Sequence, residues 1–276
     1  MSQKKADVKT LLEAGAHFGH RSSRWNPKMR EFIYTKRGGI HIIDLLQTAE
    51  RLDEASEFAE SVAARGKGVL FTGTKKHIAP AVAESADSVG MPHVTKRWFG
   101  GILTNFETIS QRIKYYKKLS EDLASGELED TYNKREILAF EEKRDKLAES
   151  FAGIADMTEV PGALFVADVV TEKTAVAEAN RLGIPVIGIV DTNADPSGID
   201  YPIPANDDAV KTVALISNRI AEAVRSGADS YAKKPSNKDS KESKGAKSKS
   251  AKKAEPETPK AKKPASEEDD KKVKEG

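Results

Sequence analysis

Three short apolar runs constrain this chain more than anything else in it: Gly68-Val69-Leu70-Phe71-Thr72, Ala163-Leu164-Phe165-Val166-Ala167 and Pro185-Val186-Ile187-Gly188-Ile189-Val190. None alternates apolar with polar, so each reads as a strand buried on both faces. Amphipathic stretches at 47–65, 75–89, 172–182 and 207–225 lie between and around them. Strand–helix alternation of this kind predicts parallel βαβ units, an α/β fold with helices on both faces of the sheet. Asn206-Asp207-Asp208 supplies cap chemistry for the last helix, and Gly183-Ile184-Pro185 ends the one before it.

Residues 105–155 break the rhythm. Ile109, Ile113, Tyr116, Leu119 and Leu123 step by four, three, three and four, and Ile137, Phe140, Arg144, Leu147, Phe151 and Ile154 step by three, four, three, four and three. That is a heptad-type seam on two arms, with a break at Ser125-Gly126-Glu127, and it predicts an inserted helical hairpin of coiled-coil character. Each arm is short enough to lean on the body for stability. From Lys233 onward the chain is mostly Lys, Ala, Ser, Pro and Glu, with Val273 its only large apolar residue. Such a segment cannot bury enough surface to offset its ordering entropy and is expected to be disordered. The expected layout is an α/β domain of residues 1–104 and 156–232, the hairpin at 105–155, and the tail at 233–276. A folded core of about 230 residues buries most of its apolar surface without staples.

The formal net charge of +2 conceals a segregation along the chain. Residues 1–40 carry +6, 41–65 carry −4, 66–118 carry +6, 119–160 carry −7, 161–232 carry −5 and the tail carries +6. The expectation is an oriented molecule, with a basic side suited to phosphate and an acidic side for water or a basic partner. No cysteine is present, which excludes disulfide frameworks, thiol nucleophiles and cysteine-ligated metal sites. No apolar run approaches the ~20 residues of a membrane helix. The N-terminus lacks the apolar region of a secretory signal, so a cytoplasmic protein with no membrane partner is expected.

Catalytic motifs are missing. There is no G-x-G-x-x-G, no G-x-x-x-x-G-K-[ST] and no G-x-S-x-G. The nearest approach to a phosphate cradle is Phe71-Thr72-Gly73-Thr74-Lys75-Lys76, a strand end feeding a helix. It leaves open an enzyme that binds a mononucleotide there. A metal site is a second possibility: His17 and His20 are three apart, and His17 with Asp191 and Asp207 would make a mixed nitrogen/oxygen set suited to zinc. The competing reading is that these aspartates cap turns and helices while His17 packs inside. Two stretches interleave basic residues with aromatics and turn formers. They are Gly19-His20-Arg21-Ser22-Ser23-Arg24-Trp25-Asn26-Pro27-Lys28-Met29-Arg30 and Lys96-Arg97-Trp98-Phe99-Gly100-Gly101-Ile102-Leu103-Thr104-Asn105-Phe106. A basic tip at Lys36-Arg37-Gly38-Gly39, between two extended pieces, adds a third. Arg and Lys engage backbone phosphate, aromatic faces stack on bases, and Gly lets the backbone approach closely. The electrostatic candidates are Arg21, Arg24, Lys28, Arg30, Lys36, Arg37, Lys75, Lys76, Lys96 and Arg97, with Trp25 and Trp98 fixing their loops.

These stretches closely resemble the bacterial members of the second protein family of the small ribosomal subunit. The likeness runs from Val8 to about Ala228. It includes Gly15-Ala16-His17-Phe18-Gly19-His20, Trp25-Asn26-Pro27-Lys28-Met29, Phe71-Thr72-Gly73-Thr74-Lys75 and Arg97-Trp98-Phe99-Gly100-Gly101-Ile102-Leu103-Thr104-Asn105. Further on come Pro161, Leu164-Phe165-Val166, Asp168, Glu172, Val176, Glu178, Gly183-Ile184-Pro185, Asp191-Thr192-Asn193 and Ile203-Pro204-Ala205-Asn206-Asp207-Asp208-Ala209. The resemblance implies a Rossmann-like parallel sheet without a nucleotide, carrying a protruding coiled-coil hairpin. It implies a structural, non-enzymatic ribosomal protein that binds small-subunit ribosomal RNA between head and body. It also implies contacts with neighbouring small-subunit proteins, the large messenger-binding protein among them, and no life as a free homo-oligomer. The tail after Tyr231 is not required by the family pattern.

Overall fold

The computed structural model describes residues 7–126, 128 and 132–233. In chain order the elements are α1 (Val8–Ala14), β1 (Phe18–Arg21), a 3-10 turn (Pro27–Phe32), β2 (Ile33–Arg37), β3 (Ile40–Ile43), α2 (Leu45–Ala63), β4 (Val69–Thr72), α3 (Ala79–Asp87), β5 (His93–Val94), α4 (Phe106–Ser125) and α5 (Lys134–Phe151). They continue with a short 3-10 turn (Ala152–Ile154), β6 (Ala163–Val166), α6 (Lys173–Leu182), β7 (Val186–Val190), β8 (Tyr201–Pro204) and α7 (Val210–Ala232). The tail expected to be disordered lies outside the described residues from 234 onward.

The three apolar runs became β4, β6 and β7, the centre of a five-stranded parallel sheet in the order β5-β4-β6-β7-β8. Their residues are buried on both faces because the side chains divide between two cores. Phe71, Ala163, Phe165, Ile187 and Ile189 face a layer built by α1, α2, α3 and α7. Leu70, Leu164, Val166, Val186 and Val190 face the other layer, where α6, the loop around Ile102 and Leu103 and the bases of α4 and α5 pack. Two strands of this sheet have no run of their own in the sequence. β5 is only two residues long, and β8 contains Pro202 and Pro204, which an edge strand tolerates because it pairs on one side only.

The extended pieces around Gly38-Gly39 are β2 and β3, and β1 adds a third strand, giving a separate antiparallel sheet β1-β3-β2. The seam predicted for residues 105–155 matches burial. Ile109, Ile113 and Leu119 of α4 and Phe151 of α5 are buried, and Tyr116, Leu123, Ile137, Phe140, Arg144 and Leu147 are half-buried. Asn133 starts α5 with a capping box that includes Glu136. Gly183 ends α6 in the left-handed region at φ 67, as its place after the last periodic residue predicted. No helix among the described residues is long and apolar enough to cross a membrane.

Candidate nucleic-acid interface

The order β5-β4-β6-β7-β8 changes direction between β4 and β6, and α/β folds commonly take ligands at the carboxyl end of such a switch. Here the chain's own side chains occupy it. The Thr74 N–H and hydroxyl both donate to Glu172, at 2.9 and 2.5 Å. The Lys75 ammonium lies 2.8 Å from Asp168, 3.1 Å from Asp207 and 2.8 Å from Asp208. The turn after β4 is therefore not the phosphate cradle that its Thr-Gly-Thr-Lys-Lys sequence suggested. Its amide and its first lysine are already committed to carboxylates, and α3 begins only at Ala79, too late to aim a helix N-terminus into the turn. Burial alone would lower the Lys75 pKa, but the bonds to Asp168 and Asp208 and the charge of Asp207 raise it. Burial, reinforced by the charges of Asp168 and Asp191, pushes Asp207 up to about 7.

Beside this cluster the expected zinc set is corrected at its histidine. The His17 ring lies against Phe18, tilted by 39° at 4.0 Å between centroids, and burial lowers its pKa. It is His20 that meets the aspartates. β1 is irregular between Phe18 and Arg21, and the His20 N–H is pinned to the Thr192 hydroxyl at 2.8 Å in the loop after β7. That turns the ring onto Asp191 at 3.1 Å, with Asp208 at 3.6 Å. The hydrogen bond to Asp191 raises the His20 pKa against the opposing effect of burial. One nitrogen of His20 and one oxygen each of Asp191 and Asp207 lie within 4.8 Å of one another. A nitrogen and two oxygens are donor types that ligate zinc, but a structural zinc takes four ligands. Among the described residues three lie together here, with Asp207 already paired with Lys75. Asp195, the other acid of the β7 loop, is held down to about 2 by Lys28, whose ammonium sits 2.8 Å away.

The basic candidates emerge from the same end of the parallel sheet. Lys96 and Arg97 follow β5, and Lys76 follows β4. The antiparallel sheet with Arg21, Lys36 and Arg37 is docked on the loop after β7, as is the Trp25 loop, where the Asn26 N–H donates to the Thr192 carbonyl at 2.7 Å. Arg21, Arg24, Lys28, Arg30, Lys36, Arg37, Lys76, Lys96 and Arg97 are all exposed. Lys75 is not, and its ammonium points inward. Trp25 packs beside His41 at 5.1 Å, and both tryptophans are half-buried, so their rings serve the protein's own packing.

The loop after β5 has an organiser that the motif reading missed. Glu178 of α6 is buried, yet its carboxylate accepts five hydrogen bonds from this loop. Oε1 accepts from Trp98 Nε1 at 3.1 Å and Gly101 N at 2.8 Å. Oε2 accepts from Leu103 N at 3.1 Å, Thr104 N at 3.1 Å and Thr104 Oγ1 at 3.0 Å. Burial would raise the Glu178 pKa, but these donors outweigh it and hold the group ionised below its usual range. A signal for it exists in the sequence: Ala175, Glu178 and Ala179 share one face of α6, and a glutamate on a sheet-facing stripe must find donors.

The sequence profile of the family described as "Ribosomal protein S2" matches residues 11–227 of this chain. Among curated relatives, the "Small ribosomal subunit protein uS2" of Corynebacterium urealyticum is 49% identical over 230 residues, covering 82% of this chain and 84% of its own. The protein of the same name from Corynebacterium glutamicum strain R is 50% identical over 220 residues, covering 80% and 83%. That of Mycolicibacterium gilvum is 47% identical over 231 residues, covering 84% and 82%.

Proposed function

The chain belongs to the ribosomal protein S2 family, and from that premise we propose that phosphate contacts from the carboxyl end of its sheet hold it in the small ribosomal subunit. As a member it is a structural, non-enzymatic constituent of that subunit, at work in translation in the cytoplasm. The finer reading is that it binds small-subunit ribosomal RNA between head and body. There it touches neighbouring small-subunit proteins, including the messenger-binding one.

The observation that carries this reading is the placement of the basic loops. Residues separated by some 75 positions in the chain, from Arg21 to Arg97, leave from the carboxyl end of the parallel sheet or from the antiparallel sheet docked on its β7 loop. Phosphate binding is a local affair: beyond roughly 8–10 Å, screening removes most of the repulsion from remote acids. The aspartates at this end are themselves paired, Asp195 with Lys28 and Asp168, Asp207 and Asp208 with Lys75. A folded part of net −4 is therefore compatible with a cationic face. Lys75 and Lys28 are left out of the proposed set, because the charge of Lys75 is already shared among three aspartates and that of Lys28 is paired with Asp195.

Reversing Lys96 and Arg97 together to Glu tests the reading. Both side chains are exposed, so the variant is expected to fold and melt like the parent. Sedimentation of a lysate through a sucrose gradient should show less of it with small subunits, and the remainder should be lost at lower salt. Undiminished co-sedimentation would defeat the proposal.

A further inference from the structure

We propose that Glu178 is the positioning residue of this interface: its carboxylate sets the loop from which Lys96 and Arg97 reach phosphate, without touching RNA itself. The proposal rests on the phosphate-contact reading above. Residues 96–105 form neither helix nor strand, so no regular hydrogen-bond ladder fixes them. Gly101 sits at φ 96, where side-chain-bearing residues are strained. Ile102 and Leu103 anchor the loop from beneath in the core. What remains is a set of inward-facing donors: the N–H groups of Gly101, Leu103 and Thr104, the Thr104 hydroxyl and the Trp98 indole. One ionised carboxylate answers all five, Oε1 accepting two and Oε2 three.

The consequence for function follows from position. Trp98 is clamped by its indole N–H to Glu178 and by its ring to the core, and Arg97 and Lys96 are the next residues back along the chain. Arg97 carries its guanidinium over the Phe99 ring at 5.8 Å. The start points of both cations are thus set by a residue on another element. Contacts with several phosphates add only when the cations are held in register with them, and a loop free to shift would meet fewer at one time.

Simple electrostatics predicts the opposite. A carboxylate beside a phosphate-binding loop repels phosphate, so on charge alone Glu178→Gln would bind better. The amide keeps the shape but turns an NH2 donor toward groups that are themselves donors, and the loop loses its hold. The experiment is rebinding to small subunits stripped of this protein, with the salt dependence measured from low to high KCl. The proteins compared are the parent, Glu178→Gln, Trp98→Phe, the Lys96→Glu/Arg97→Glu pair, and Glu222→Gln as a control for loss of one exposed acid. Glu178→Gln is expected to bind roughly tenfold weaker, with a log–log salt slope smaller by about one phosphate contact. Glu222→Gln should bind like the parent. A variant that was merely less well folded would show a smaller active fraction at an unchanged slope. Trp98→Phe keeps the ring and removes one donor, so it should show the same flattening to a lesser degree. It carries the test alone should Glu178→Gln not fold. If the charge-reversal pair binds weakly while Glu178→Gln and Trp98→Phe keep the parent's affinity and slope, the positioning role is overturned. If the charge-reversal pair binds normally, the phosphate reading falls and this proposal falls with it.

Discussion

At the scale of single residues, the clearest lesson is that adjacent lysines with one sequence character have two structural fates. Lys75 and Lys76 follow the same strand, but Lys75 is drawn into Asp168, Asp207 and Asp208 while Lys76 is exposed. Removing one partner of a buried charge cluster strands the others without compensation, at a typical cost of 3–5 kcal/mol. Lys75 keeps some contact with water, so Lys75→Met is expected to lose about 2–4 kcal/mol of unfolding free energy. Lys76→Met should lose almost none. The pH dependence has a definite sign. Asp207 has a folded pKa of about 7, above its unfolded value of 3.8, so its protonated form favours the fold. That contribution is fully present below about pH 4 and is lost as pH rises toward 7. Without the Lys75 charge Asp207 climbs further, and Asp168 and Asp208, which Lys75 holds below their usual range, rise as well. The penalty of Lys75→Met should therefore be largest near pH 8 and shrink toward pH 5. Urea titrations of both variants at the two pH values, with EDTA present, measure this. Equal losses from the two substitutions would mean that the aspartates do not depend on Lys75.

At the scale of elements, what could be read beforehand was what has a period. The doubly buried strands and the helices at 47–65, 172–182 and 207–225 announced themselves because burial on two faces, or on one stripe, writes a pattern into composition. The two helices of the hairpin did so too, and their periodic positions are buried or half-buried, with Ile109, Ile113 and Leu119 of α4 and Phe151 of α5 the most enclosed. β5 and β8 were illegible because a two-residue strand has no period, and prolines argue against a strand until its place at the edge is known. For the candidate site, the exposure of the cations was legible and the partners of the acids were not. Nothing in the spacing of Asp168, Glu172, Glu178 and Asp207 says which loop each will serve, because those partners are distant in sequence. For the same reason spacing did not show that His20, pinned to Thr192, lies beside the aspartates in place of His17. One element contact is testable by itself. Where α2 and α7 cross, a Cβ on Gly227 would stand 2.2 Å from the Glu60 carbonyl oxygen, which belongs to backbone and cannot swing aside. Gly227→Ala gains helix propensity but must push the two helices apart, and overpacking of this kind costs typically 1–3 kcal/mol. A lower melting temperature is expected, and an unchanged or higher one would mean that the two helices part freely.

For the whole molecule, two accounts of RNA affinity compete, one global and one local. Globally, residues 1–232 sum to −4 and the tail supplies +6, so the tail alone turns the chain positive. If net charge governed binding, a protein ending at Lys233 would be repelled by RNA. The local account assigns affinity to exposed cations at the carboxyl end of the sheet, where the neighbouring acids are already paired, Asp195 with Lys28 and Asp168, Asp207 and Asp208 with Lys75. Charges farther off than a screening length of about 8 Å count for little there at physiological salt. Each engaged phosphate adds about 0.7–0.9 to the salt slope, whatever the remote charges sum to. Deleting residues 234–276 should therefore leave incorporation into small subunits intact at physiological salt, with a slope close to the parent's. The charge-reversal pair at Lys96 and Arg97, which changes the net charge by less than the tail deletion does, should have the greater effect. Gradient sedimentation of the two variants side by side decides the matter. A truncated protein confined to the top fractions would mean that the tail carries the affinity and that the sheet end only orients it. Retention of the truncated protein with loss of the charge-reversed one would place the affinity in the fold itself, where an acid such as Glu178 can serve RNA binding by holding a cationic loop in place.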